Sequence, residues 1–162
     1  MPASRSPVRR RVRDSLVHMT EIVLPEDSNP KGSIFGGRVL ALIDKCAAIV
    51  GMRHARSEVV TVSVDSVVFL NKVRIGNVLL LSGRIHAAFG SSMEVEVSVH
   101  SEDPLTGERK LTTTALVTIV AVDESGRPHP APGLVLKTAD ERARAGEASR
   151  RRAARLAKRG QI

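Results

Sequence analysis

One segment of the chain, residues 35–54, has the apolar spacing of a helix, whereas most of the sequence around it is typical of strands. Val39, Ile43, Cys46 and Val50 follow one another at intervals of four, three and four residues, which places them on one helical face. At about 1.5 Å per residue, this helix would be roughly 27–30 Å long. We therefore expect a fold organised around a single long helix.

Five other segments are rich in β-branched residues and end at turn-forming residues. In the most regular of them, Met93, Val95 and Val97 alternate with Glu94 and Glu96, which is the pattern of a strand with one buried face. The predicted strands cover residues 15–23, 58–70, 78–89, 93–103 and 109–123. Because four long antiparallel strands follow the helix, we predict an α+β fold in which a strongly curved antiparallel sheet wraps around the central helix.

The net charge of +8 is carried by the two ends of the chain. Residues 1–14 hold five arginines and one aspartate, and residues 139–162 hold eight basic and three acidic residues, so residues 15–138 are close to neutral. A length of 162 residues suits one folded body, which we predict at residues 15–135. We expect a basic, disordered N-terminal tail at 1–14 and a basic C-terminal helix or tail at 136–162.

Composition argues against several classes of protein. The chain has no Trp, no Tyr and three Phe, so it lacks the aromatic platforms of many nucleic-acid-binding domains, and we expect no specific nucleic-acid partner. It has no apolar run of the roughly 18–20 residues that span a bilayer and no apolar signal segment among its first residues, so we expect no membrane partner. The single cysteine, Cys46, excludes an internal disulfide, and no Cys/His pairs have zinc-finger spacing. We therefore expect a reducing, cytoplasmic setting and no metal.

An aspartate, Asp44, lies within the predicted helix. A carboxylate is costly to remove from water without partners, so its presence in an apolar helix needs an explanation. Ala41, Ala48 and Gly51 share its face, and no basic residue stands three or four positions away to pair with it. The residues leave two interpretations open. Asp44 is a structural carboxylate hydrogen-bonded across an interface, or it faces a pocket as a general base or nucleophile.

Gly36 and Gly37 open the same helix. Free N–H groups and the positive dipole end at such a terminus can bind a developing oxyanion, although a glycine pair is also common turn geometry. Asn29, in the loop ahead, is either an amide that orients a water or a carbonyl, or a turn former before Pro30. The glycines lie about two helical turns, roughly 10 Å, from Asp44. That separation is too long for one hydrogen bond but suits the two ends of an acyl site.

Four stretches together carry a resemblance to a known family: "VLPEDSNPKGSIFGGRVLALIDKCAAIVGMRHA", "VTVSVDSVVFL", "VRIGNVLLLSGRI" and "SSMEVEVSVHSEDPLTGERKL". They resemble the hot-dog-fold acyl-CoA thioesterases, in particular the acyl-CoA hydrolase group with an N-x-x-G-x-x-F-G-G loop followed by a helical aspartate. The resemblance covers about residues 15–135. It implies a hot-dog fold, homodimers paired through edge strands, and frequent assembly into hexamers as trimers of dimers.

The resemblance also implies a reaction in fatty acid metabolism, in which acyl-CoA and water give a free fatty acid and CoA. By position, Asn29 and Asp44 match the family's catalytic asparagine and aspartate, and Gly37 would bind the thioester carbonyl through its backbone N–H. Phe35 and Gly36 would line the substrate site. In this family one site takes the asparagine from one subunit and the aspartate from its partner, so a homodimer would be the catalytic unit. Asp44 would activate the water or attack as a nucleophile, and no cofactor is implied because a thiolate leaves readily.

The sequence departs from the family pattern at two places where CoA contacts are implied. Relatives often read G-R-T-S where this chain has "FGSS", so Ser91 and Ser92 stand at the expected nucleotide site without the usual basic residue. The usual F-L-x-P reads "FLNK", with Lys72 in place of proline. Lys72 or Arg74 would replace the missing charge on the CoA phosphates, or they are solvated charges at a strand end.

Two other functions are compatible with this resemblance. One is a non-catalytic acyl-CoA-binding or sensing module on the same fold, whose basic tails recruit a partner. The other is a hot-dog dehydratase, but that group relies on a histidine on the helix, and no histidine precedes His54 there. We interpret His54 as a C-terminal dipole partner and Cys46 as a small core residue.

Overall fold

The computed structural model describes residues 8–160, which form seven strands, two α-helices and two short 3₁₀ turns. The 3₁₀ turns lie at Val12–Ser15 and Pro25–Asp27. The strands and helices are β1 (Arg9–Arg11), β2 (Val17–Ile22), α1 (Gly36–Ala55), β3 (Glu58–Asp65), β4 (Val78–Phe89), β5 (Ser92–Glu102), β6 (Arg109–Val122), β7 (Gly133–Val135) and α2 (Ala139–Arg159). Neither helix within residues 8–160 is long and apolar enough to cross a membrane.

Five strands form one antiparallel sheet in the order β2-β4-β5-β6-β3, so β2 and β3 are its edges. Helix α1 lies against one face of this sheet, and its Val39, Ile43, Cys46 and Val50 are at most 1% exposed within the core. The α+β hot-dog fold is therefore confirmed, with a curved antiparallel sheet wrapped around one long central helix.

Strand β3 is shorter than the predicted strand at 58–70. It shifts register against β6 between Thr61 and Ser63 and ends at Asp65. The next residue, Ser66, has a φ of 52°, a conformation that a non-glycine residue rarely adopts and that cannot continue a strand. The chain returns to the sheet at Leu70, whose N–H donates to the carbonyl of Thr112 at 2.8 Å. Residues 66–69 therefore leave the sheet and lie beside the start of α1.

The prediction of a disordered segment at 1–14 is wrong for residues 8–14. Strand β1 pairs in parallel with β7, and the Arg9 guanidinium donates to the carbonyl of Leu134 at 2.6 Å. The 3₁₀ turn that follows buries Val12, which is 3% exposed. Arginine heads can remain in water while the backbone pairs and an apolar neighbour is buried, so a basic composition did not prevent order here. The predicted tail residues 1–7 lie outside the described part of the chain.

Helix α2 occupies most of the segment for which a basic helix or tail was predicted. It begins with a capping box, in which Thr138 Oγ1 accepts from the Glu141 N–H at 3.1 Å and the Glu141 carboxylate accepts from the Thr138 N–H at 3.1 Å. It lies on the face of the sheet opposite α1, and of its side chains only Ala148 is fully buried. This helix is therefore not held by an apolar stripe.

Gly83 in β4 allows the helix to lie close to the sheet. A Cβ atom at this position would lie 2.7 Å from Val50 Cγ2 and 2.8 Å from Cys46 Sγ, both buried side chains of α1. We expect Gly83→Ala to lower the free energy of unfolding by about 1–3 kcal/mol through overpacking. Gly146→Ala in α2 is the matched control, since the nearest atom is 3.9 Å away, and it is expected to stabilise by about 0.5–1 kcal/mol. Urea unfolding measures both, and equal stability of the two variants would contradict the close contact.

Candidate active site

Asp44 lies on the side of α1 that faces the edge strand β3. Its side chain is exposed in the single chain, and its Oδ1 accepts a hydrogen bond from Thr61 Oγ1 at 2.6 Å. No ion pair involves Asp44 within residues 8–160. Thr61 was not singled out from the sequence. The arrangement gives a carboxylate of fixed orientation with its second oxygen free.

The edge strand beside Asp44 is apolar and has one unpaired side. Val60, Val62 and Val64 are 48%, 43% and 42% exposed, and β3 pairs only with β6 within the described chain. An exposed edge of this kind is a template for pairing with another strand, and soluble proteins usually blunt or cover it. Asp44 therefore lies at a surface suited to a partner chain.

Asn29 shapes the loop that precedes α1. Its Oδ1 accepts from the backbone N–H groups of Lys31 at 2.9 Å and Ser33 at 3.3 Å, and its Nδ2 donates to Ser33 Oγ at 2.9 Å. An ion pair of 2.9 Å between Arg38 and Asp27 fastens the same loop to the first turn of α1. The amide thus has the role of a turn former within one chain, and Nδ2 keeps a second hydrogen for another acceptor.

The N-terminus of α1 presents free donors. Phe35 caps the helix without a side-chain hydrogen bond, and its carbonyl accepts from the N–H groups of Arg38 and Val39 at 3.0 and 3.3 Å. Within residues 8–160 no backbone acceptor faces the N–H groups of Gly36 and Gly37. A Cβ at Gly37 would meet no atom within 4 Å, so this end of the helix is open to a ligand.

Two adjoining clefts lie near this end of α1, and the first of them reaches the helix terminus. The first, which we name the apolar cleft, has a volume of about 410 Å³ and is lined by Ser33, Ile34, Gly36, Val39, Phe69, Leu70, Asn71, Lys72, Val73 and Thr112. The second, the basic cleft, has a volume of about 530 Å³ and shares Ser33, Asn71 and Lys72 with the first. Its charged lining residues are Lys31, Lys72, Arg74 and Lys110 with Asp103 and Glu108.

The predicted CoA contacts do not all meet in one chain. Lys72 and Arg74 line the basic cleft, near the start of β4 and the end of β5. Ser91 and Ser92 form the turn at the other end of the same two strands, about eleven residues or roughly 35 Å away along β5. Ser92 Oγ donates to the carbonyl of Phe89 at 3.3 Å. Sequence reasoning also missed Lys31 and Lys110, because their proximity to Lys72 arises only from the folding of the sheet.

His54 and Cys46 are structural. His54 is fully buried, and its Nε2 hydrogen-bonds the carbonyl of Pro132 at 2.7 Å. Burial lowers the pKa of His54 and favours its uncharged form, so little positive charge is available for the predicted role as a C-terminal dipole partner. Burial raises the pKa of Cys46 to about 11, which makes it an inert core thiol. Neither residue supplies a catalytic group.

The curled sheet, the central helix and the free donors at its start are the features of a hot-dog thioesterase, and comparison with known proteins agrees. The Thioesterase superfamily profile matches residues 31–108. An uncharacterized acyl-CoA thioester hydrolase of Bacillus subtilis (strain 168) is 40% identical over 136 residues, which are 84% of this chain and 79% of that protein. The chain belongs to the thioesterase superfamily, in the family of acyl-CoA thioester hydrolases.

Solved structures are similar over nearly the whole chain. A hexameric acyl-CoA thioesterase is 45% identical with a TM-score of 0.88, covering 93% of this chain and 97% of that one. An acyl-CoA hydrolase from Staphylococcus aureus, in complex with butyryl-CoA, CoA and CoA disulfide, is 33% identical with a TM-score of 0.86, covering 94% and 93%. That hydrolase has also been solved with an aspartate, an asparagine or a threonine replaced by alanine.

Longer relatives contain the same unit. The mouse cytosolic acyl-coenzyme A thioester hydrolase is 37% identical over 134 residues, which are 82% of this chain. The chain spans about one third, 34%, of the length of that relative.

Proposed function

We propose that this protein hydrolyses acyl-CoA at a site shared by two chains, with Asp44 from one chain and Asn29 and the Gly37 N–H from the other. The observation that carries the proposal is the position of Asp44, held by Thr61 at 2.6 Å beside the exposed apolar edge of β3. The free N–H groups of its own helix lie about 10 Å away along the axis, beyond the reach of one carbonyl group. A second chain can supply those donors.

Two-fold symmetry offers a simple way to bring these groups together. Leu40, 38% exposed, and Ala41, also exposed, lie midway between Gly37 and Asp44 on α1. An axis passing beside them would set two α1 helices antiparallel, at the roughly 8–10 Å spacing of packed helices. Gly37 of one chain would then lie level with the partner's Asp44. Pairing of the two β3 edges would cover Val60, Val62 and Val64 at the same time.

The chemistry follows from the charges that develop. The Asp44 carboxylate removes a proton from a water as it attacks the thioester carbon, or it attacks that carbon itself to form an anhydride that water then opens. In either route the carbonyl oxygen becomes an oxyanion, which the Gly37 N–H stabilises. Asn29 orients the water or the carbonyl. The carbon–sulfur bond then breaks, and CoA leaves as a thiolate while the acyl group becomes a free acid.

The proposal involves the same three residue types as the alanine variants of a relative. The S. aureus hydrolase has been studied with an aspartate, an asparagine and a threonine each replaced by alanine, and our proposal joins Asp44, Asn29 and Thr61. In it, Thr61 fixes the rotamer of Asp44 and leaves the second carboxylate oxygen for water.

The apolar cleft and the basic cleft suit different parts of the acyl-CoA substrate. The apolar cleft, which opens at Gly36 and lies next to Phe35, suits the thioester and the acyl chain. The basic cleft suits the CoA phosphates, with Lys72 and Arg74 as contacts and Lys31 and Lys110 beside them. Ser91 and Ser92 reach CoA in this scheme only from another chain, since they lie at the far end of the sheet.

Relatives support the assembly and setting that we propose. Two solved thioesterases of this fold are hexameric, including one from Yersinia pestis that is 32% identical with a TM-score of 0.67. We propose a catalytic homodimer and its assembly into a trimer of dimers. One mouse relative and one human relative, each 37% identical, are named as cytosolic enzymes, which supports a cytoplasmic location.

The Gly37 N–H can be removed by one substitution. We expect Gly37→Pro to lower kcat about 10²–10³-fold, the usual loss for one oxyanion donor, because proline lacks an N–H yet fits the first turn of a helix. Gly37→Ala is the matched control, since it keeps the N–H and its Cβ meets no atom within 4 Å. Release of free thiol, followed with DTNB over short, medium and long acyl-CoAs, measures both. Equal rates of thiol release for Gly37→Pro and Gly37→Ala would contradict an oxyanion role for Gly37. If the unmodified protein binds acyl-CoA but releases no thiol, a non-catalytic sensing module is favoured instead.

A further inference from the structure

Helix α2 is fixed to the sheet by arginines rather than by apolar side chains. Arg144, Ala148, Arg151 and Arg155 follow at intervals of four, three and four residues, so they share the inner face of the helix. The three arginines pair with Glu96 at 3.1 Å, Glu94 at 2.7 Å and Asp65 at 3.3 Å. We name these three arginines the arginine row.

The middle pair of the row sets the position of the helix. Glu94 is 1% exposed, and Arg151 binds both of its carboxylate oxygens, at 2.7 and 3.2 Å. Burial acts to raise the pKa of Glu94, but the neighbouring His86 and Arg151 lower it to about 2, so the carboxylate stays charged. His86 Nδ1 lies 3.6 Å from the Glu94 carboxylate, beyond hydrogen-bond distance. Arg151 is therefore the direct hydrogen-bond partner of Glu94. A buried charge with a two-point partner fixes the register of α2 on β5.

The last member of the row reaches the end of another strand. Arg155 pairs with Asp65, the final residue of β3, and the two side chains are 25% and 35% exposed. Directly after Asp65, Ser66 has its φ of 52°, a conformation that surrounding contacts must hold. The ion pair therefore lies at the point where the chain leaves the sheet.

The segment that begins at this bend forms one wall of the apolar cleft. Phe69 and Leu70 line that cleft, and the Phe69 ring covers Gly36, where a Cβ would lie 3.3 Å from the ring atom Cζ. The far end of the segment is tied to β6 through the Leu70 N–H and Thr112. The near end is tied by the backbone pairing of Asp65 with Leu116 and by Arg155.

We propose that Arg155 is a positioning residue for substrate. From the outer face of the sheet it holds Asp65 and so the bend at Ser66, and the bend sets the position of Phe69 in the wall of the apolar cleft. This rests on the proposed function, because the cleft is taken to hold the acyl chain. Helix α2 is then a brace for the substrate site as well as a cover for the sheet. Loss of Arg155 frees the bend and enlarges the range of positions of Phe69.

Kinetics with acyl chains of different length test the role. For Arg155→Ala we expect KM for long-chain acyl-CoA to rise about two- to fivefold, the range of a partly exposed ion pair, with hydrolysis of acetyl-CoA unchanged. Arg155→Lys restores the charge and is expected to recover most of the loss. Arg150→Ala is the matched control, an exposed arginine of α2 without an ion pair in the described chain. An Arg155→Ala variant whose chain-length dependence equals that of Arg150→Ala overturns the proposal.

A second readout does not need turnover. The chain has no Trp, so Phe69→Trp introduces a single fluorescent reporter at the cleft wall. In that background, Arg155→Ala is expected to move the emission to longer wavelength and to raise quenching by acrylamide, whereas Arg150→Ala changes neither. Asp65→Asn, which breaks the same pair from the other side with almost no change of volume, should repeat the effect. Unchanged emission in both variants contradicts the positioning role of Arg155, whether or not Asp44 proves to be catalytic. Changed emission supports that role, even if Asp44 proves not to be catalytic.

Discussion

An Asp44→Asn variant is expected to lose about 10²–10⁴-fold in kcat for acyl-CoA, the range that a general base contributes. The amide keeps the volume of the carboxylate and can still accept the hydrogen bond of Thr61, which measures 2.6 Å in the unmodified chain. It can neither take a proton from water nor attack the thioester carbon. Thiol release under single-turnover conditions measures the loss, and circular dichroism and mass in solution should stay unchanged.

Glu124→Gln provides the control for removal of one negative charge. Glu124 is exposed in the turn after β6 and forms no ion pair within residues 8–160. Its variant should hydrolyse acyl-CoA at the unmodified rate. If Asp44→Asn retains kcat within threefold of that control, the carboxylate is not the catalytic group and the proposed mechanism is wrong.

A mixture of two inactive variants is expected to regain activity. If each site takes Asn29 from one chain and Asp44 from the other, a mixed dimer of Asn29→Ala and Asp44→Asn has one site with both defects and one intact site. Random pairing of equal amounts makes half of the dimers mixed, so about one quarter of the unmodified activity should return. A site built within one chain would carry a defect in every subunit and would show no recovery.

The control for this experiment is a pair of variants from the same side of the site. Asn29→Ala mixed with Gly37→Pro leaves one defect in each site of a mixed dimer, so no activity should return. Mass tags of different size on the two chains show whether mixed dimers have formed. Absence of recovery in a sample that contains mixed dimers would exclude the two-chain site while leaving the fold and family unaffected.

The helix and the strands could be predicted because their side chains repeat with clear periods. The helix predicted at 35–54 is α1, Gly36–Ala55, and the strand predicted at 109–123 is β6, Arg109–Val122. The largest difference is the strand predicted at 58–70, which ends at Asp65. Its β-branched composition continues to Val68, but the bend at Ser66 takes the chain out of the sheet towards Phe69 and Leu70, which line the apolar cleft. Local preference does not reveal that change of direction.

The candidate site was only partly visible from the sequence, because it depends on which strands meet. Asp44 and Asn29 could be singled out within one continuous loop and helix, whereas Thr61 becomes a partner only when β3 lies against α1. The arginine row is regular in sequence, with Arg144, Arg151 and Arg155 on one helical face, and could have been noticed. Its carboxylate partners come from β5 and β3, so the pairing was beyond sequence reasoning.

The missing side chain at Gly83 has a consequence for how the enzyme accommodates acyl groups of different size. Cys46 and Val50 rest directly on β4 there, so the C-terminal half of α1 has no free space in which to shift. The opposite half, which begins at Gly36 and Gly37, has open volume beside it. The N-terminal end of α1 can therefore move more easily than its C-terminal half. Adaptation to longer or bulkier acyl groups should involve this N-terminal end and residues 66–70, while the C-terminal half stays fixed on β4.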